Sequence, residues 1–244
     1  MSAAHELLIW GIHPILEILR NAPGQIREIS IQQPGSQKKL QEIISLAEQN
    51  RIKINSVAVL TIPGEANPNH QGALARLREN HPVDLNELLK GQPALLVALD
   101  SISDPHNLGS IIRSAAAAGA GGILIPKDRA AQITGTVAKV AAGALAHIKI
   151  CQVTNLSDAL RALKDSGYWI FGAAGEGHQT VYQADFSGPT CLVIGSEGKG
   201  IRPLVRKQCD FLINIPMRRK INSLNASVAA GIILFEVARQ KNNA

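Results

Sequence analysis

The chain has 244 residues, of which 45% are hydrophobic and 18% charged, and its formal net charge is +6. These proportions exclude a disordered chain and suffice for one large domain or two small ones with a proper core. No apolar run reaches the roughly 18 residues needed to cross a bilayer, so no membrane role is expected. The start, Met1-Ser-Ala-Ala-His-Glu6, lacks a basic region followed by an apolar one, so a cytoplasmic location is the expectation. The basic excess favours a polyanionic partner. Aromatics make up only 3%, which argues against an aromatic stacking platform and for RNA held by charge and shape. Three widely spaced cysteines, Cys151, Cys191 and Cys209, read as structural thiols rather than a disulfide framework. The seven histidines show no metal-ligand spacing, so no metal is expected.

In chain order, residues 1–77 read as a small α/β unit. A helix opens at Gly11-Ile-His-Pro14 with Ile15, Ile18 and Leu19 on its apolar face, and a strand follows over 26–31. An amphipathic helix over 39–50 places Leu40, Ile43, Ile44 and Ala47 together, a strand covers 52–57, a Pro/Gly/Asn loop covers 63–72, and a strand returns to Leu77. Residues 78–93 are polar, contain Pro82, Gly91 and Pro93, and read as a linker with a short helix over 85–89. From residue 94 to 244, apolar strands over 95–99, 122–125, 147–151, 168–172, 191–195 and 211–215 alternate with helices near 108–118, 132–145, 156–166 and 201–207. A terminal helix over 224–240 carries Leu224, Val228, Ile232 and Phe235 on one face. Continuous apolar strands separated by helices specify a parallel sheet covered on both faces.

Several of these strands end in loops rich in glycine, charge and amide groups, at the edge where open α/β sheets bind ligands. In Asp104-Pro-His-Asn-Leu-Gly109, Pro105 and Asn107 suit a turn into a helix N-terminus. Arg113, two turns in, reads locally either as an exposed arginine or as a guanidinium gripping a phosphate. Glu197, among Gly195, Gly198 and Gly200, is either a solvated turn carboxylate or a group on a loop that approaches a ligand closely. That loop matches neither the Walker A nor the dinucleotide pattern. Ser223 and Asn225 begin the terminal helix, where ordinary capping competes with a site role. Arg218-Arg219-Lys220 reads as a solvated basic loop that could meet an RNA backbone, and His106 could sit near the site.

Together, Asp104-Pro-His-Asn-Leu-Gly-Ser-Ile-Ile-Arg113, Leu192-Val-Ile-Gly-Ser-Glu-Gly-Lys-Gly200, and Ile215-Pro-Met217 with Ser223-Leu-Asn-Ala-Ser-Val-Ala229 resemble the three signature motifs of the SpoU (TrmH-type) RNA 2′-O-ribose methyltransferases of the SPOUT superfamily. Gly11-Ile-His13, His70-Gln-Gly72 and Asp128-Arg-Ala-Ala-Gln132 resemble the branch that methylates a guanosine in the peptidyl-transferase loop of bacterial 23S rRNA. Ala173 and Ala226 stand where that pattern often has threonine and valine. The resemblance implies an α/β fold: a SPOUT-type parallel sheet with a deep trefoil knot, preceded by an L30e-like substrate-binding domain. It also implies a homodimer that binds 23S rRNA. S-adenosylmethionine would be held largely by backbone groups at Ala173, Ala174, Gly175, Glu176, Gly195, Ile215 and Leu224. The family's catalytic roles fall on Asn107, Arg113, Glu197 and Asn225, with Ser223 as a secondary candidate. The same chemistry on tRNA or another rRNA site, and a non-catalytic RNA-binding assembly factor, are the alternatives.

Overall fold

A computed structural model describes residues 7–33, 38–63, 68–78, 82–218 and 223–242. Residues 1–6, residues 64–67 of the expected loop, and Arg219 and Lys220 of the basic loop lie outside the described residues. In chain order the elements are β1 (Leu8–Trp10), α1 (Ile12–Asn21), β2 (Ile26–Gln32), α2 (Lys38–Gln49), β3 (Lys53–Val57), β4 (Ala73–Leu77), α3 (Leu85–Leu89), β5 (Leu95–Asp100), α4 (Pro105–Ala117), β6 (Gly122–Pro126) and α5 (Gly135–Ala141). They continue with β7 (Lys149–Val153), α6 (Leu156–Asp165), β8 (Trp169–Ala173), β9 (Gln179–Thr180), β10 (Thr190–Gly195), α7 (Pro203–Arg206), β11 (Phe211–Asn214) and α8 (Ala226–Asn242).

By contacts the chain forms two compact units, residues 1–80 with 133–146, and residues 81–132 with 147–244. In the first, the sheet order is β1-β4-β2-β3, with β2 and β3 parallel and the other pairs antiparallel. Ile26, Ile29 and Ile31 of β2 are buried, and Ile15, Ile18 and Leu19 of α1 complete the core, at the three-to-four spacing of one helix face. The three residues of β1 are too few to show a period-two pattern, so the sequence reading passed over it. Segment 133–146 belongs to this unit. Gly135 sits so close to β1 that a Cβ there would meet Leu8 O at 2.3 Å, and Lys139 Nζ lies 5.4 Å from the Trp10 ring centroid. The helix expected over 132–145 is shorter because Ala142 (φ 49) and Gly143 (φ 82) turn left-handed and end it.

The second unit holds a seven-stranded parallel sheet ordered β7-β6-β5-β10-β8-β11-β9. Strands β5, β6 and β10 are almost wholly buried, as their unbroken apolar runs require. The stretch read as a linker takes part in this unit: Leu88 of α3 is 1% exposed and packs with Leu96, Leu124 and Leu163. Helix α8 buries Ala230, Ile233, Leu234 and Val237, while Val228 and Phe235, on the stripe singled out in the sequence, are 50% and 55% exposed. Small residues allow this choice of face: α8 packs on α4, and a Cβ on Gly231 would stand 3.8 Å from Ser114 Oγ. Among the described residues no helix is long and apolar enough to span a membrane, and no group of three His, Cys, Asp or Glu is arranged around a metal position.

Candidate active site

The strand order makes β5, β10, β8 and β11 consecutive neighbours running the same way, so the loops after them open at one edge. Strand β10 is inserted between β5 and β8, earlier strands that run outward on opposite sides, which is the crevice-forming arrangement of open α/β sheets. The loop after β5 leads into α4. Asp104 caps that helix by accepting the His106 N–H at 2.9 Å, and Pro105 takes the first position. This fixes Asn107 in the first turn, where it is 7% exposed.

Glu197 joins three parts of the chain. Its Oε1 accepts Asn107 Nδ2 at 2.9 Å, Asn225 Nδ2 at 2.6 Å and the Ala226 N–H at 3.2 Å. Asn225 Nδ2 also donates to Asn107 Oδ1 at 3.0 Å. At the same time Asn225 caps α8: its Oδ1 accepts Ser227 N–H at 2.9 Å, Ser227 Oγ at 2.6 Å and Val228 N–H at 3.3 Å. A carboxylate at a helix N-terminus is favoured by the free N–H groups there. The capping reading of Asn225 therefore holds, and the same side chain also joins Glu197 to Asn107.

Beside this junction lies a cavity of about 570 Å³, within the range of small-molecule sites. Ala173, Ala174, Gly175, Glu176, Gly195, Ile215 and Leu224, the seven residues named for cofactor binding, all line it, as do Glu197 and Ser223. Ala173, Ala174, Gly175 and Gly195 leave the backbone of two loops open to a ligand. Gly195 is required for its own loop, since a Cβ there would meet the Gly200 carbonyl carbon at 2.3 Å. Arg113 and His106 are exposed on α4 and form no part of this cavity wall. The structure thus brings Asn107, Glu197 and Asn225 together beside the cavity, with Arg113 on the same helix as Asn107.

Two ion pairs at this edge escaped the sequence reading. Buried Asp100 binds Arg202 with a Nε–Oδ1 distance of 2.6 Å, and Arg206 pairs with Glu176. The Glu176 carboxyl is held below its ordinary range, first by its own backbone N–H and then by Arg206. A carboxylate ending an otherwise apolar strand, and arginines four apart after the glycine loop, were the available signals. The cysteines are free thiols; burial pushes Cys151 up to about 11 and Cys209 to about 12, so neither is a ready nucleophile near neutral pH.

A parallel sheet with loops gathered at one edge, an amide–carboxylate junction and an adjoining cavity define an α/β protein with a candidate small-molecule site. Residues 94–235 match the SpoU rRNA Methylase family and residues 8–83 match the RNA 2′-O ribose methyltransferase substrate-binding family; the chain belongs to the SpoU rRNA methylase family. It is 39% identical over 238 residues to the 23S rRNA (guanosine-2′-O-)-methyltransferase RlmB of Pseudomonas putida, covering 96% of each chain. It is 41% identical over 242 residues to a protein of Staphylococcus saprophyticus named only at the level of a TrmH family tRNA/rRNA methyltransferase, covering 97% of each. The SpoU methyltransferase AviRb from Streptomyces viridochromogenes, solved in complex with the cofactor AdoMet, superposes with a TM-score of 0.77 at 28% identity, covering 98% of this chain and 92% of that one.

Proposed function

We propose that this enzyme transfers a methyl group from S-adenosylmethionine to the 2′-oxygen of a guanosine ribose in the peptidyl-transferase loop of 23S rRNA. The observation that carries the reading is the Asn107–Glu197–Asn225 junction standing on the edge of a cavity walled by open backbone. The cavity fits the cofactor in kind. Its volume suits a ligand of that class, Ile201, Ile213 and Leu224 offer apolar surface to a purine, and Glu176 and Glu197 offer carboxylates to a cationic ligand. When bound, the cofactor supplies an electrophilic methyl on a positively charged sulfur.

The chain's own residues then bind, orient and assemble. Glu197, held through Oε1 by three donors, fixes the N-terminus of α8 against the first turn of α4, so both helices present to one point. Methyl transfer needs an in-line approach of the ribose oxygen, and the hydrogen bonds that tie these two helices together hold in place the groups that would orient it. Arg113 is assigned to orienting the ribose hydroxyl and a neighbouring phosphate, because a guanidinium is too weak an acid to serve as a base near pH 7. Residues 1–77, joined by segment 133–146, act as the L30e-like RNA-binding domain, and the rest of 94–244, with the helix over 85–89 packed into its core, acts as the methyltransferase domain with a trefoil knot. The enzyme works as a cytoplasmic homodimer. The exposed Val228 and Phe235 of α8 are an apolar stripe for a second copy, next to the helix that carries Arg113.

A second reading keeps the chemistry and changes the RNA, and the name of the Staphylococcus relative favours it. Methyl-labelled S-adenosylmethionine, offered with rRNA and tRNA purified separately from cells lacking the gene, decides between them. Label in 23S rRNA supports the proposal; label only in tRNA replaces it with the second reading.

A further inference from the structure

The loop that presents Glu197 is held at its exit by one carboxylate. Asp100 ends β5 opposite Gly195, the last residue of β10, and is fully buried. Its Oδ2 accepts the Arg202 backbone N–H at 2.7 Å, and its Oδ1 accepts Arg202 Nε at 2.6 Å. Between Gly195 and Arg202 the chain closes on itself: Gly200 N–H donates to Ser196 O at 2.9 Å, and Ser196 N–H to Gly200 O at 3.2 Å. Glu197 sits in this closed loop. Strand pairing fixes its entrance and Asp100 fixes its exit.

The same aspartate begins the other loop. It leads through Ser101, whose φ of 64 is a left-handed conformation that a non-glycine residue keeps only when its surroundings impose it. That turn sends the chain to Asp104 and so to Asn107. One buried carboxylate therefore borders both loops, and their far ends meet at Glu197 Oε1. Neither Asp100 nor Arg202 lies on the cavity wall. Asp100 is buried while the Arg202 side chain is 40% exposed, and an ion pair that takes a carboxylate out of water stabilises no better than apolar side chains of the same volume, so stability alone is a poor reason for one here.

We infer that Asp100 and Arg202 are a positioning pair for methyl transfer, setting where Glu197 stands against Asn107 and Asn225. The inference rests on the methyl-transfer reading above. It is tested with the full-length protein as Asp100→Asn, Arg202→Lys and the double variant. Arg202→Lys keeps the backbone hydrogen bond and a positive charge near Asp100 but loses the planar Nε donor. The rate is measured at saturating S-adenosylmethionine and 23S rRNA, at a temperature where melting curves show each variant fully folded. Each single variant is expected to lose at least tenfold in kcat, and the double variant to be no worse than the poorer single one, because both remove one interaction.

A kcat within twofold of wild type in the folded single variants overturns the inference, as does a multiplicative loss in the double variant. Failure of both single variants to fold overturns it too, since the pair would then be structural. If only Asp100→Asn fails, Arg202→Lys carries the test. A wild-type protein that labels no RNA sinks the methyl-transfer reading and the inference together, whereas an active wild type with active variants sinks the inference alone.

Discussion

Asn225 holds two separable jobs within one side chain. Its oxygen caps α8, and its amide nitrogen binds Glu197 and Asn107. Asn225→Ala removes both, and loss of the cap alone should lower stability by about 1 kcal/mol. Asn225→Asp keeps an oxygen for the cap but sets a second carboxylate against Glu197. We expect that repulsion to lower its melting temperature, and methyl transfer to be at least tenfold slower at temperatures where it is fully folded. Equal activity in Asn225→Asp at such temperatures would remove the amide from the site's chemistry. At this scale the sequence showed residue types well and pairings poorly. Asn107, Glu197 and Asn225 were legible because three motifs carried them in order. The Asp100–Arg202 pair was not, because its two members are 102 positions apart and only the β5–β10 register opposes their strand ends.

Among the elements, α8 and the β8–β10 connection are locked by a polar cluster at the helix's end. Gln240 Nε2 donates to Ala184 O and Lys241 Nζ donates to Phe186 O and Gly188 O, while Arg239 grips Glu236 through both Nε and a terminal nitrogen. Arg239 holds the Glu236 carboxyl down to about 2 from an ordinary 4.5. Because the folded value lies below the unfolded one, this stabilisation is complete above about pH 4.5 and is lost as pH falls toward 2. Denaturant titrations should show that loss in the wild type and a smaller one in Glu236→Gln. Helix α5 offers a steric test. Gly135 has no room for a methyl beside Leu8 O, so Gly135→Ala should destabilise the protein by about 1–3 kcal/mol, read from the urea midpoint. Long buried strands and amphipathic helices were legible because their periods are long enough to declare themselves. Strands β1 and β9, of three and two residues, were not, since pairing partners rather than their own pattern define them.

For the whole molecule, the sheet order is the main thing the sequence left unwritten. Alternating strands and helices imply a parallel sheet, but nothing local says that β10 enters between β5 and β8, and that insertion is what gathers the site. Assembly is a second matter at this scale. Val228 and Phe235 are too exposed to serve the core of one chain, and a second copy would cover them. Phe235→Glu should convert a dimer to a monomer in sedimentation velocity without lowering the melting temperature of the single chain's core. A wild-type monomer at micromolar concentration would contradict the proposed assembly. The central claim, however, concerns an atom of the substrate. The decisive measurement is nuclease digestion of 23S rRNA labelled by this enzyme with methyl-labelled S-adenosylmethionine, followed by identification of the labelled nucleoside. The account requires the label in 2′-O-methylguanosine from a single site in 23S rRNA. Label in a base-methylated nucleoside, or no label in a protein shown separately to bind the cofactor, would contradict it.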